Sequence, residues 1–158
     1  MKGTKKQLLD YLKSQRLMSL ATFGNSLCVC NVYFAVDDAF NLYFMSEPSS
    51  DHCKNIAQSN TVACTVADSR QKVTDKKIGV QIKGVVEKVD DSEKIKLALS
   101  LWNKANPGFE AVINFKNIQE NSIKSKVYTV IPSEMKFLNE ASYGREGSET
   151  FLFTRSKS

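Results

Sequence analysis

A run of ten residues in the first quarter of the chain limits the possible folds more than any other segment. Leu27–Val36 reads LCVCNVYFAV, and nine of its ten residues are apolar, with Asn31 as the exception. A short, continuously apolar run of this kind indicates a strand that is covered on both faces. We therefore expect one face to pack in the core and the other to meet a second subunit or a ligand.

Further strand patterns surround this run and are joined mostly by short turns. They are predicted at Arg16–Phe23, Asn41–Met45, Thr61–Ala67, Ile78–Val89, Lys126–Leu138 and Thr150–Phe153. Gly84 breaks the apolar alternation of its strand, which indicates a bulge or a close backbone approach. Pro132 predicts a bend or an edge position.

Three helices are predicted among these strands, together with one further helical turn in the mixed segment Glu110–Ser125. Thr4–Gln15 has leucines at helical spacing with Thr4 as the N-cap, and a short helix follows the strand that ends at Met45. A longer helix runs from Asp90-Asp91-Ser92 to about Ala105. Its predicted apolar side consists of Ile95, Leu97, Ala98, Leu101 and Trp102.

This order of elements predicts a mostly β fold with short helices. So many short strands must hide their edges, and a small closed or split barrel does so. The fold class that we predict is a six- or seven-stranded antiparallel split β-barrel. The length of 158 residues favours one domain over residues 1–158, with the N-terminal helix at about 4–15.

Composition excludes several functional classes. Lysine and arginine exceed aspartate and glutamate by 22 to 17, but the lysines are scattered and form no basic stripe with aromatics, so no nucleic-acid partner is expected. No apolar run reaches the roughly 20 residues of a membrane span, and no membrane partner is expected. The N-terminus lacks the apolar core of a signal peptide, which predicts a cytoplasmic protein.

The four cysteines are Cys28, Cys30, Cys53 and Cys64. In a cytoplasmic chain of this size they are expected to be free thiols that pack as small apolar side chains. The alternative is a zinc site formed with His52, but the chain contains no C-x-x-C pair, and no metal site is predicted.

The segment from Ser46 to Asn60 has three interpretations. Ser49 or Ser50 can simply cap the short helix. His52, the only histidine, can act as a catalytic base, although the chain has no G-x-S-x-G elbow and Cys53 is its neighbour on the helix. The third interpretation is anion binding, in which the hydroxyls of Ser46 and Ser50, His52 and the free N–H groups of the helix start hold a phosphate monoester.

This segment also resembles the pyridoxamine 5′-phosphate oxidase-like FMN-binding split-barrel family. In that family a strand ends in Thr or Ser, a second Ser follows four residues later, then a basic residue and an Asn. Ser46, Ser50, His52 and Asn55 hold those places. The stretches RLMSLATFG, CVCNVYFAVDDAFNLYFMS, VQIKGVVEKV and EMKFLNEASYGREGSETFLF occur in the family order, so the resemblance covers about Arg16–Phe153.

The resemblance implies a role for each of these residues. Ser46, Ser50 and His52 would contact the FMN phosphate, and Asn55 would steady the loop. Asn31 lies on the strand whose backbone lines the edge of the flavin ring in the family; the alternative is that Asn31 bonds a neighbouring strand. Gln81 and Lys83 are further candidates for the ligand side, with a solvated face as the alternative.

The resemblance also implies a function and a partner. The protein is expected to be a flavin-dependent oxidoreductase that acts on an unknown small molecule, as a homodimer with the cofactor at the subunit interface. Asp51 and Thr150 stand where the true oxidases have basic residues, so oxidation of pyridoxamine phosphate itself is not expected. The alternative is a flavin or heme carrier or sensor, since members of the fold also bind heme or a deazaflavin, or nothing. No catalytic acid or base is assigned.

Overall fold

The computed structural model describes residues 4–154, so the ends of the predicted domain lie outside the described residues. Within this range the chain forms seven strands and five helices. In chain order they are α1 Lys5–Ser14, β1 Leu17–Phe23, β2 Leu27–Val36, β3 Leu42–Ser46, α2 Asp51–Gln58, β4 Thr61–Val66, β5 Ile78–Lys88, α3 Ser92–Ala105, α4 Phe115–Gln119, β6 Lys126–Asn139, α5 Glu140–Tyr143 and β7 Ser148–Leu152. None of these helices combines the length and apolarity needed to cross a membrane.

Six of the strands close into a barrel. The order is β3-β2-β1-β4-β5-β6, and β6 pairs with β3 to close the ring, with every pair antiparallel. The second half of β6 pairs with β7, the seventh strand, which lies outside the ring. The predicted split-barrel class is confirmed, because β3 and β6 close the ring while β2 before Phe34 stays unpaired on its β3 side.

Gly84 and Pro132 mark an irregularity in the long β5–β6 pair. The register shifts between Lys83 and Gly84, and Gly84 lies opposite Pro132. A Cβ on Gly84 would lie 2.3 Å from the carbonyl oxygen of Ile131, so the close backbone approach that was predicted is present. Pro132 lies at this bulge, and β6 has no partner on its other side there, because its pairing with β3 ends at Val130 and its pairing with β7 begins at Glu134; both the bend and the local edge are therefore present.

The barrel interior holds the main core, which includes Phe34, Phe44, Leu20 and Phe137, and α1 packs Leu8 and Leu12 against it. A second core lies outside the barrel under α3, around Ala98 and Leu99. The predicted inclusion of Leu97 on the apolar side of α3 was wrong. Leu97 is half exposed and Leu99 is buried, because Ile95, Ala98, Leu99 and Trp102 form the i, i+3, i+4, i+7 stripe that faces the barrel.

The outer face of β1 and β2 is apolar and uncovered in the single chain. Five large side chains on it are substantially exposed: Leu17, Phe23, Leu27, Val29 and Tyr33. β2 therefore buries only its inward face within one chain. The cover that we predicted for its second face remains a prediction.

Candidate functional site

The candidate site lies where β3 ends and the chain turns into α2. β3 ends at Ser46, and residues 47–50 form the turn that leads to Ser50, the N-cap residue of α2. Pro48 favours such a turn. The backbone of Ser50 is extended, with φ −67° and ψ 153°, as an N-cap requires.

His52 joins the two ends of this turn. Its Nε2 lies 2.5 Å from Oγ of Ser46 and 3.2 Å from Oγ of Ser50. The Ser50 hydroxyl donates its single proton to the carbonyl oxygen of Glu47 at 2.7 Å. In the tautomer with its hydrogen on Nε2, the ring donates to these hydroxyls and the proton of Ser46 is available to a ligand, whereas in the other tautomer Nε2 accepts the Ser46 proton.

The first turn of α2 lacks a side-chain cap. Ser50 occupies the N-cap position but makes no cap hydrogen bond, and the first helical bond joins the amide of Lys54 to the carbonyl of Ser50. The N–H groups of Asp51, His52 and Cys53 therefore have no partner within the helix. These amides and the positive end of the helix dipole favour an anion. Ser50 therefore occupies the N-cap position, as the capping interpretation predicts, but its side chain does not form the hydrogen bond of an N-cap.

Lys126 is a cation of this site that the local sequence pattern did not reveal. It lies directly opposite Ser46 in the β3–β6 pair, so both side chains are on the same face. The residue is half-buried, and its ammonium group donates to Oδ1 of Asn121. Its position depends on a pairing between residues 80 positions apart in the chain, so no local sequence pattern indicates it.

Asn55 is a structural residue of the same loop. It is 4% exposed, and its amide nitrogen donates to Oγ1 of Thr22 at 3.2 Å and to the carbonyl oxygen of Ser26 at 2.9 Å. Both acceptors belong to β1 or to the turn that follows it. Asn55 therefore ties α2 to the β1–β2 hairpin, and a Cβ on Gly24 would lie 2.6 Å from its Oδ1.

The other three candidate residues lie apart from this cluster, on the outer face of the barrel. The side chain of Asn31 is exposed and accepts a hydrogen bond from Ser19 at 2.8 Å, so it does bond the neighbouring strand. Gln81 is exposed on β5. Lys83 is exposed and forms an ion pair with Glu134 at 3.1 Å.

The cysteines are free thiols beside this loop. Burial raises the pKa of Cys30 to about 11, with further contributions from Cys28 and Cys53. Burial also acts to raise the pKa of Cys53, but hydrogen bonding with neighbouring groups, His52 first among them, outweighs it and lowers the pKa. Within residues 4–154 no three His, Cys, Asp or Glu side chains are placed to hold a metal ion.

The backbone of β2 is open beside Ser46. β2 pairs with β3 only over Phe34–Val36, whereas it pairs with β1 from Leu27 to Tyr33. The amide of Phe34 bonds towards β1, at the carbonyl of Arg16, so alternate residues such as Val29 and Asn31 direct their backbone groups to the other edge. No described strand pairs with that edge between Leu27 and Tyr33.

A cavity of about 660 Å³ adjoins the site on the outer side of the barrel. It is lined by residues of β2, β3 and α3 and by the segment that follows α3. Met45 and Ser125, the residues before Ser46 and Lys126, both contribute to its wall. The indole N–H of Trp102 donates to the carbonyl of Tyr33 at 3.0 Å, where the β2–β3 pairing ends.

Comparison with solved structures shows the same fold in many proteins. The conserved hypothetical protein Rv2991 from Mycobacterium tuberculosis is 15% identical with a TM-score of 0.73, covering 98% of this chain and 94% of its own. A NimC/NimA family protein from Clostridium acetobutylicum is 20% identical with a TM-score of 0.67, covering 94% and 91%. A heme binding protein from Mycobacterium smegmatis is 13% identical with a TM-score of 0.74, and this chain covers 59% of that protein.

Sequence comparison gives the family. No curated protein matches the chain. The family model described as pyridoxamine 5′-phosphate oxidase matches residues 4–137, which include α1, the first five strands, the turn into α2 and most of β6. The strand order and the serine-rich turn indicated a resemblance to this family, and the match confirms it. The chain belongs to the pyridoxamine 5′-phosphate oxidase family of split-barrel proteins.

Proposed function

We propose that this protein binds FMN and acts as a flavin-dependent oxidoreductase on a small molecule. The observation that carries the proposal is the anion site at the start of α2. It combines three amides without helical partners, the Ser46 hydroxyl, which contacts His52, and the side chain of Lys126. A phosphate monoester accepts hydrogen bonds from the amides and the ammonium group, and from Ser46 when Nε2 of His52 carries the hydrogen.

The open edge of β2 supports a place for the flavin ring. The ring carries donors and acceptors along one side, and an unpaired strand offers N–H and C=O groups in alternation. The edge at Val29 and Asn31 begins beside Ser46, where the phosphate would lie. In this proposal Asn31 acts through its backbone, while its side chain holds Ser19.

The apolar outer face supports a homodimer. Leu27 is 82% exposed and Val29 is 72% exposed, and both lie on the same face as Phe23 and Tyr33. Contiguous apolar surface of this kind is characteristic of protein interfaces. In this proposal Gln81 and Lys83, both exposed on β5, contribute to the ligand side from the second copy.

FMN, when bound, would supply hydride or electron transfer, and the chain would supply position and electrostatics. Ser46, His52 and the amides of α2 would hold the phosphate, and Lys126 would balance its charge. Asn55 would keep α2 attached to the β1–β2 hairpin through its hydrogen bonds. No side chain is assigned as an acid or base.

The first test is the visible spectrum of the purified protein and an FMN titration followed by quenching of flavin fluorescence. We expect Ser46→Ala to weaken FMN binding by about 10- to 100-fold, because this is the loss of affinity that follows from removing one hydrogen bond to a charged group. His52→Ala should weaken it similarly. Ser49→Ala is the matched control, because Ser49 is exposed in the same turn and makes no hydrogen bond to any described residue.

Two results would contradict the proposal. One is a colourless protein that fails to bind added FMN. The other is equal FMN affinity in Ser46→Ala and Ser49→Ala. Anaerobic bleaching of the bound flavin by NADH or NADPH would distinguish an enzyme from a carrier.

Heme is the second candidate, and the heme binding protein of Mycobacterium smegmatis is the observation that favours it. A Soret band would support a heme carrier. The geometry gives this candidate less support, because Nε2 of the only histidine is bound to Ser46 and is not free to ligate iron.

A further inference from the structure

The cavity beside the phosphate site has the size and lining of a small-molecule site. Its volume of about 660 Å³ lies within the range of ligand pockets. Three aromatic residues, Tyr33, Trp102 and Phe109, contribute to its wall. Aromatic rings stack on planar ligands and bury large apolar areas, so this wall favours a flat ring system.

Trp102 is the part of the aromatic wall that hydrogen bonds hold in place. Trp102 is 8% exposed, and its indole N–H is committed to the carbonyl of Tyr33. Asn106 donates its amide to the carbonyls of Phe34 and Trp102, so these donors are not available to a ligand. Because Trp102 is ordered before binding, it loses little entropy when a ligand arrives.

Arg16 supplies a polar edge to the cavity. Its Nη1 donates to the carbonyls of Lys13 and Gln15, at 2.8 and 3.0 Å, which fixes the guanidinium at the end of α1. Both bonds use Nη1, so Nη2 and Nε are free to donate to an oxygen on a ligand. The described residues that line the cavity include no carboxylate to compete for this cation.

We propose that the cavity binds a planar aromatic molecule with a carbonyl or carboxylate edge. The rings would lie against Trp102, Tyr33 and Phe109, and the oxygen would accept from Arg16. The cavity wall includes Tyr33, at the end of the open β2 edge where the flavin ring would lie, so a molecule in it would be next to the ring. Binding stands on the cavity alone, but the role of this molecule as the redox substrate rests on the proposed function.

The only tryptophan of the chain gives a direct test. The full chain without cofactor is labelled with ¹⁵N and titrated with 2-naphthoate, and the single indole N–H signal of Trp102 is followed by NMR. We expect a saturable shift of this signal. Decanoate, an aliphatic carboxylate of similar size and equal charge, should leave it unchanged at the same concentrations.

Two variants locate the ligand. Arg16→Gln should weaken 2-naphthoate binding by about tenfold, the loss expected for one charge-assisted hydrogen bond, whereas Arg70→Gln, in the exposed loop after β4, should have no effect. Since Arg16 also holds the end of α1, Phe109→Ala is a second variant that leaves this bond intact. It should weaken 2-naphthoate binding as well.

The outcomes separate this proposal from the previous one. Two results would overturn the cavity site even if FMN binds. One is an indole signal that does not shift when 2-naphthoate is added. The other is equal affinity for 2-naphthoate in the Arg16→Gln, Phe109→Ala and Arg70→Gln variants. If 2-naphthoate binds as expected but FMN does not, the cavity site stands and its role as a flavin substrate site is overturned. Ser46→Ala should weaken FMN binding without changing the affinity for 2-naphthoate.

Discussion

Asp51 is the residue that opposes the proposed phosphate site. It is exposed at the first position of α2. Its negative charge interacts favourably with the positive end of the helix dipole, but the same charge repels a phosphate. The same side chain therefore contributes to the stability of α2 and reduces affinity for an anion. This conflict is expected where a position serves both folding and binding.

Replacing Asp51 should change these two properties in opposite directions. Asp51→Asn is expected to tighten FMN binding by about fivefold, since one charge near a surface contributes about 1 kcal/mol. It should lower the free energy of unfolding by about 0.5 kcal/mol. FMN titration and chemical denaturation measure the two effects.

The control for this variant is Glu120→Gln, which removes an exposed carboxylate elsewhere in the chain. It should change neither property. The gain in affinity should shrink in high salt, because screening weakens interactions between exposed charges. A gain that is independent of salt would show that the effect is not electrostatic.

The residues of the site differ in how far the sequence could predict them. The cluster of Ser46, Ser50 and His52 was predictable, because all three lie within seven residues at a strand–helix turn. Lys126 was not, because its place opposite Ser46 depends on a pairing between distant strands. The structural role of Asn55 was predicted only as the steadying of a loop, and its partners Thr22 and Ser26 belong to another element.

At the scale of elements, helix ends were predictable where a cap is present. Thr4 forms a capping box with Gln7, and Asp91 accepts from the amide of Lys94, so α1 and α3 begin where the pattern indicated. The four-residue helix α5 was missed because it has too few residues to show a periodic pattern.

The bulge between β5 and β6 leads to a prediction about two glycines in one strand. Gly84→Ala places a Cβ 2.3 Å from a backbone carbonyl oxygen, which cannot move without breaking the pairing. We expect it to lower the free energy of unfolding by about 2 kcal/mol or more, the cost of overpacking. Denaturant titration followed by circular dichroism measures this.

Gly79→Ala is the matched control, because Gly79 lies in the same strand and its added Cβ would be 3.4 Å from the nearest atom. It should be neutral or slightly stabilising, since alanine restricts the unfolded chain. Equal effects of the two substitutions would contradict the steric explanation.

At the scale of the whole molecule, the exposed apolar face predicts self-association. Val29→Glu places a charge in the middle of this face and should convert a dimer to a monomer, because an unpaired charge is costly to bury. Light scattering after size-exclusion chromatography measures the mass. If the flavin site lies at the interface, the same variant should also lose FMN affinity.

Val73→Glu is the control for this variant. Val73 is 88% exposed, comparable to Val29, but lies in the loop between β4 and β5 and not on the apolar face. It should leave the molecular mass unchanged. A wild-type protein that is monomeric at high concentration would contradict the prediction.

The first part of the barrel was predictable, because β1, β2 and β3 follow each other with short turns, and strands that are close in sequence tend to pair. What the sequence did not show is the closing pair. β3 and β6 are separated by a helix, two strands and two further helices, and no local pattern connects them.

The closing pair also sets an order of events during synthesis. Leu42 and Val130 are partners although about ninety residues separate them. A ribosome therefore releases β3, α2 and the serine-rich turn long before β6 can arrive with Lys126. The nascent chain would present an incomplete phosphate site for most of its elongation, and cofactor uptake would have to wait until nearly the entire barrel has been translated.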